Sequence, residues 1–138
     1  MSVNFEQQRD ITSLLSTYAR SVDAADAAAV LECFTADVSL SFDGGRLIFN
    51  SRADAEDFYH RMLRGSSTHQ LGNFGFERSD DAVVVNCSAL VFTCQKQGFV
   101  TIKGIFYVFR CVGAGSGLRI QKLEHSSRWE CDAPGGPR

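Results

Sequence analysis

The stretch that decides the fold is Phe99-Val100-Thr101-Ile102-Lys103-Gly104-Ile105-Phe106-Tyr107-Val108-Phe109-Arg110-Cys111-Val112. It is rich in β-branched and aromatic residues, carries no proline and reads as one long strand. Successive side chains of a strand point to opposite faces. Val100, Ile102, Gly104, Phe106 and Val108 therefore share one face, while Thr101, Lys103, Ile105, Tyr107 and Phe109 share the other. Both faces are largely apolar, which predicts a strand covered on both sides, one by helices and the other by a partner subunit.

Similar stretches flank it: Thr68 to Arg78, Ala82 to Lys96 and Leu118 to Glu130. The separators Ser79-Asp80-Asp81, Gln97-Gly98 and Gly113-Ala114-Gly115-Ser116-Gly117 are short and made of turn residues, so consecutive antiparallel hairpins are expected. In the last stretch the apolar parity switches between Ile120 and Leu123, the pattern of a bulge that bends a sheet.

Upstream the period changes from two to 3.6. Ile11, Leu14, Leu15, Tyr18, Ala19 and Val22 fall on one helical stripe, with Asn4 and Gln7 spaced as a capping pair at its start. Asp26 can cap a short second helix whose face is Ala27, Val30, Leu31 and Phe34. Val38, Leu40 and Phe42 then alternate with serines as a strand, and Asp43-Gly44-Gly45 turns into Leu47 to Phe49. Ser51 can cap a third helix with Ala55, Phe58, Tyr59 and Met62 on one face and Gly65 beyond its end. The expected fold class is α+β: a cone-shaped, strongly curved mixed or antiparallel sheet with three helices from the first half packed on one face. Residues 1–132 form one domain in this reading, and 133–138, with Pro134, Gly135, Gly136 and Pro137, form a frayed tail.

Composition narrows the function. The chain has 138 residues, 44% of them apolar, including 11 Phe, which suits a single packed core rather than a disordered segment. Lys and Arg total 14 against 16 Asp and Glu, with no basic cluster to displace counterions from phosphates, so no nucleic-acid partner is expected. No apolar run approaches the ~20 residues of a spanning helix, so no membrane is expected either. Met1 to Gln8 lacks the basic start and apolar run of a secretory signal, and a cytoplasmic location follows as the expectation. The five cysteines, Cys33, Cys87, Cys94, Cys111 and Cys131, are odd in number and irregularly spaced, and read as reduced small hydrophobes.

The order of elements, together with Ile11-Thr12-Ser13-Leu14-Leu15-Ser16-Thr17-Tyr18-Ala19-Arg20-Ser21-Val22-Asp23, Asp26 with Val30-Leu31-Glu32-Cys33-Phe34-Thr35-Ala36-Asp37-Val38, and Thr68-His69-Gln70-Leu71-Gly72-Asn73, resembles the SnoaL-like family of the nuclear-transport-factor-2-like superfamily. The likeness runs from about Glu6 to Trp129. Tyr18, Asp23 and His69 resemble the Tyr, Asp and His of the scytalone dehydratase-like, dehydrochlorinase-like and bile-acid dehydratase-like branch. The resemblance implies that Asp23, at the end of the first helix, orients His69 on the first long strand. It also implies that Arg128, as the nearest arginine on the last strand, contributes to the pocket.

That trio suits proton removal from carbon. An imidazole titrates near neutrality, and a carboxylate on its far nitrogen stabilises the imidazolium that forms. A phenol such as Tyr18 can donate to a developing enolate oxygen in an apolar pocket. Asn73, which shares strand parity with His69, together with Arg128, Phe106 and Leu71, completes the expected substrate-binding set. No metal-ligand spacing accompanies the three His residues, and no cofactor is expected. The expected function is a cofactor-independent lyase of dehydratase type, or an isomerase, acting on a small hydrophobic or cyclic molecule, in a homodimer (or trimer) formed through the outer sheet face.

Bland readings stand beside these. Asp23 could cap the second helix, His69 could be a satisfied structural histidine, and Tyr18 could be a core aromatic. His125, beside Leu123, and His60, on a polar helix, read as structural or exposed, and Lys103 as an outward, snorkelling lysine. A ketosteroid-isomerase-like or limonene-epoxide-hydrolase-like site needs an Asp on a late strand, and 99–112 has none. The alternative function is a non-catalytic ligand-binding or accessory subunit, of the ring-hydroxylating dioxygenase small-subunit kind. Its mark would be a narrow or collapsed cavity, a His69 whose ring contacts only structural groups, or Asp23 and His69 beyond hydrogen-bond reach without a bridging water.

Overall fold

The computed structural model describes residues 2–134. Helix α1 spans Phe5–Asp23 and opens with the full capping box: the Gln7 amide donates to the Asn4 side chain at 2.8 Å, and the Asn4 amide donates to Gln7 Oε1 at 3.2 Å. Ile11, Leu15, Tyr18 and Ala19 form its buried stripe. After Ala25, at φ +57°, Asp26 caps helix α2, Ala27–Glu32, by accepting from the Ala29 amide at 3.1 Å.

Phe34 was expected to extend that helical face and does not. It begins strand β1, Phe34–Phe42, where it pairs with Ile120 and is 1% exposed. The reason is tertiary: a phenylalanine at this point fills the space between helices and sheet, and that burial outweighs local helical periodicity. Strand β2, Leu47–Phe49, folds back on β1, and Ser51 caps helix α3, Arg52–Met62. Ala55 and Tyr59 of α3 are buried and Phe58 packs on the core, whereas Met62 is exposed.

The long strands follow as β3 (Ser67–Ser79), β4 (Ala82–Cys94), β5 (Phe99–Val112) and β6 (Arg119–Pro134). They form one sheet in the order β2-β1-β6-β5-β4-β3, antiparallel throughout except where β1 runs parallel to β6. The sheet is mixed and not closed, and the fold is α+β.

Bulges bend it. The register between β5 and β6 shifts at Arg110/Cys111, leaving Gln121 as the extra residue inside the interval expected from sequence, and again at Gly104/Ile105, where Arg128 is the extra residue. A third shift lies in β3 between Gly72 and Gly75. β6 also runs past its expected end: Ala133 pairs with Val100 and Pro134 with Phe99, so the ladder takes in the start of the segment assigned to a tail. Residues 135–138 of that tail lie outside the described residues.

Helices and sheet enclose one core. Leu15, Val30, Val38, Leu40, Val85, Phe109, Ile120 and Leu123 are all fully buried in it. Thr101, Ile105, Tyr107, Phe109 and Cys111 of β5 face this side, and the alternate residues make a half-buried outer face. Cys33, Cys87 and Cys111 are buried free thiols, and burial pushes those of Cys87 and Cys111 up to about 12. Cys94 and Cys131 are exposed free thiols. No described helix is long and apolar enough to cross a membrane.

Candidate active site

The concave side of the sheet and the inner faces of α1 and α3 leave a cavity of about 350 Å³. Its floor is built from Tyr18, Tyr59, Tyr107, His69 and His125, and its walls from Val22, Phe42, Phe58, Leu63 and Val91. Arg64, Lys103 and Glu130 stand among the polar lining residues.

Asp23 is the last residue of α1, where the chain leaves the helix beside the start of β3. Its carboxylate accepts three hydrogen bonds from that strand: from the His69 amide at 2.8 Å, from His69 Nδ1 at 2.6 Å and from the Ser67 hydroxyl at 3.2 Å. A carboxylate is an acceptor only, so His69 Nδ1 carries the proton and Nε2 carries the lone pair. The His69 side chain is 11% exposed and that of Asp23 22%, which shields the pair from water while His69 borders the cavity.

Asp23 does not cap α2, because Asp26 does. Burial of both Asp23 oxygens against β3 also ties the end of α1 to the sheet.

Tyr18, near the end of α1, reaches the same space. Its hydroxyl lies 3.1 Å from that of Tyr59, on α3. Burial raises both phenols well above their usual value. Each is accordingly a neutral donor at any physiological pH, and because a pair of hydroxyls shares one hydrogen bond between them, one O–H is left to aim at a ligand. Tyr107 on β5 is likewise raised, first by burial and then by the charges that Tyr18, Cys87 and Asp23 would present to a phenolate.

His125, on β6, is held differently. Its Nδ1 accepts a hydrogen bond from the Asp43 amide at 3.1 Å, and its ring lies 5.7 Å from Phe42 and 5.5 Å from Tyr107, centroid to centroid. Its titration is lowered, first by burial and then by the nearby charges of Lys103 and His69, against raising contributions from its own backbone hydrogen bond and Asp43.

The structure thus brings Tyr18, Asp23 and His69 together and separates them from most of the other expected residues. Asn73 has φ +56° within the Gly72–Gly75 bulge and is exposed; the bulge breaks the parity that would have pointed it alongside His69. Arg128, the extra residue of the β6 bulge, lies over the Phe106 ring at 4.7 Å on the outer face. Phe106 is on that outer face as well, one step out of phase with the inward-facing Ile105 and Tyr107. These three line a larger depression of about 630 Å³ with Gly72, Leu90 and Trp129, which holds no general base. Leu71 packs against the core and also lines this depression rather than the His69 cavity.

Tyr59, Tyr107 and His125 are lining residues that the sequence reading passed over as functional. A signal existed for two of them. Tyr59 places a hydroxyl on the apolar stripe of α3, where it needs a partner. His125 shares parity with the core residue Leu123. Among the described residues no cluster of three His, Cys, Asp or Glu is arranged to hold a metal.

An α-helical layer under an open curved sheet defines a fold class that known proteins share. A family model for the SnoaL-like domain matches residues 4–124, and the chain belongs to that family. No curated protein matches by sequence.

Among solved structures, a candidate aromatic ring hydroxylase from Novosphingobium aromaticivorans superposes with a TM-score of 0.85 at 20% identity, covering 96% of each chain. A candidate scytalone dehydratase from the same species gives 0.79 at 14% identity over 94% of this chain and 91% of its own. A type 2 hexachlorocyclohexane dehydrochlorinase gives 0.80 at 16% identity over 95% and 91%. These identities establish a shared architecture, the cystatin-like fold of nuclear-transport-factor-2-like proteins.

Proposed function

We propose that the protein is a cofactor-independent lyase, of dehydratase type, acting on a small hydrophobic or cyclic carbonyl compound in the His69 cavity. The observation that carries this is the 2.6 Å contact of Asp23 with His69 Nδ1, which leaves Nε2 as a free base at a cavity wall. His69 Nε2 takes the proton from the carbon beside the carbonyl. The C–H electron pair moves toward the carbonyl oxygen, where the neutral Tyr18–Tyr59 pair offers a hydrogen bond, and Asp23 stabilises the imidazolium. Collapse of the enolate forms the C=C bond and breaks the β C–O bond. The proton on His69 leaves with the hydroxide as water, which restores the base. Where the substrate has a β,γ double bond instead of a β leaving group, return of the same proton to the γ-carbon of the dienolate moves that double bond to the α,β position and completes an isomerisation.

The open cavity of about 350 Å³ and the Asp23–His69 contact support this reading over a non-catalytic subunit. Membership of the family and the structural likeness to a dehydrochlorinase support the reading as well.

The test is exchange of carbon-bound hydrogen. Cyclic ketones with and without a β-hydroxyl are incubated in D2O, and deuterium at the α-carbon is followed by NMR. The wild type should exchange at least one ketone well above the buffer rate, and His69→Ala and Asp23→Asn should each lose about 100-fold or more. Undiminished exchange in His69→Ala overturns the proposal, and exchange at only the buffer rate across the panel counts against it.

A further inference from the structure

The two histidines of the cavity are held in opposite tautomers. The Asp23 carboxylate accepts from His69 Nδ1, so His69 turns a lone pair on Nε2 toward the cavity. On His125 the partner is a backbone N–H, that of Asp43, which can only donate. His125 Nδ1 must therefore be bare, and a neutral imidazole with a bare Nδ1 carries its hydrogen on Nε2. The two nitrogens lie on diverging edges of the ring. With Nδ1 turned to the loop after β1, Nε2–H is left at the other edge, in a ring that lines the cavity and is clamped between Phe42 and Tyr107.

We propose that His125 is a second hydrogen-bond donor of the active site: its Nε2–H binds the substrate oxygen that gains charge as His69 takes the proton. The cavity would then favour compounds with an acceptor oxygen, a ketone or enone, over hydrocarbons and halides without one. The surroundings favour a neutral His125, because burial, with the Lys103 and His69 charges, lowers its titration against its own backbone hydrogen bond and Asp43, which raise it. Staying neutral matters, because an imidazolium could not accept from the Asp43 amide. The proton stays on His125 throughout; no bond to it forms or breaks. This inference rests on the proton-abstraction reading above but is tested by different quantities.

Two measurements decide it. In ¹⁵N-histidine-labelled protein at pH 8, long-range ¹H–¹⁵N spectra should show His125 with a bare Nδ1 and a protonated Nε2, the reverse of His69; a bare Nε2 on His125 overturns the proposal. The second measurement is binding of 4-nitrophenol, whose phenolate mimics an enolate oxygen, with 4-nitroanisole as the control lacking the O–H. Three variants separate a structural histidine from a donor. His125→Asn retains an acceptor for the Asp43 amide near the Nδ1 position. His125→Gln retains an N–H near the Nε2 position, and His125→Phe retains neither.

If His125 is a donor, His125→Gln binds 4-nitrophenol within about 3-fold of wild type, while His125→Asn and His125→Phe lose about 10-fold or more, and 4-nitroanisole binding is the same in all. If His125→Asn binds as wild type, the histidine only holds the loop and the proposal falls. It falls also if the wild type binds nitrophenol no better than nitroanisole. Failure of His69→Ala to lose deuterium exchange, with the His125 pattern intact, would remove the base and leave the donor standing.

Discussion

Replacing Asp23 by Asn tests the Asp23–His69 geometry at near-constant volume. The native carboxylate accepts from two N–H groups and one hydroxyl, all within 3.2 Å. An asparagine offers one oxygen and one NH2. With its oxygen on the His69 amide, its NH2 faces Nδ1–H, and the clash of donors is relieved only if His69 moves its hydrogen to Nε2. The variant thus trades a charge-assisted hydrogen bond for a neutral one and turns the Ser67 hydroxyl from donor to acceptor of the new NH2, a loss of about 2 kcal/mol. An unfolding entropy of about 2.1 cal/mol/K per residue, over the whole chain, converts this to a Tm lower by roughly 7 °C. Scanning calorimetry reads that shift, and ¹⁵N spectra read the tautomer, which should switch so that Nε2 is protonated and can no longer act as a base. A variant within about 0.5 kcal/mol of wild type and with His69 still protonated on Nδ1 would refute the reasoning, because the carboxylate would then be neither holding nor orienting the ring.

Other outcomes follow from single contacts. Tyr18→Phe removes one hydroxyl of a buried pair, so stability should fall by about 1 kcal/mol in chemical denaturation and deuterium exchange should slow by about 10-fold or more. At Gly104 an added Cβ would run into the Trp129 indole, yet Trp129 is half exposed and can swing outward. Gly104→Ala should therefore cost under about 1 kcal/mol while red-shifting fluorescence from the sole tryptophan. Stability should fall in alkali from about pH 9 upward: the buried Cys87, Cys111 and tyrosines keep their protons in the folded state, whereas the unfolded chain releases them at ordinary values, so the folded form binds more protons there. His125 works in the opposite limb. It resists protonation when folded, so the unfolded chain binds more protons below about pH 6.5 and stability falls with acid; His125→Phe should flatten that limb in urea titrations across pH.

Periodicity carried most of the fold. The caps at Asn4, Asp26 and Ser51 and the four long strands were readable because each is written in local residue spacing. Asp23 and His69 could be paired only through the resemblance, since 46 residues separate them and their contact depends on how α1 lies against β3.

Asn73 and Arg128 lie off the cavity because strand parity predicts facing only as far as the next bulge, and each sits in a register shift. Phe106 lies in an unbroken run of β5, and its parity already puts it opposite Ile105 and Tyr107. The parallel pairing of β1 with β6 was likewise not written in local pattern, because it joins the ends of the chain's two halves. His125 reads as structural from its place beside Leu123, and its contact with a backbone amide 82 residues away is announced by no spacing.

The central claim is that His69 is the base of this cavity, and chemical rescue tests it most directly. In His69→Ala the vacated volume opens onto the cavity beside Asp23. Deuterium exchange into a cyclic ketone should be lost in that variant and restored, with saturation, by added free imidazole. Exchange in His69→Ala as fast as wild type without any imidazole would contradict the account.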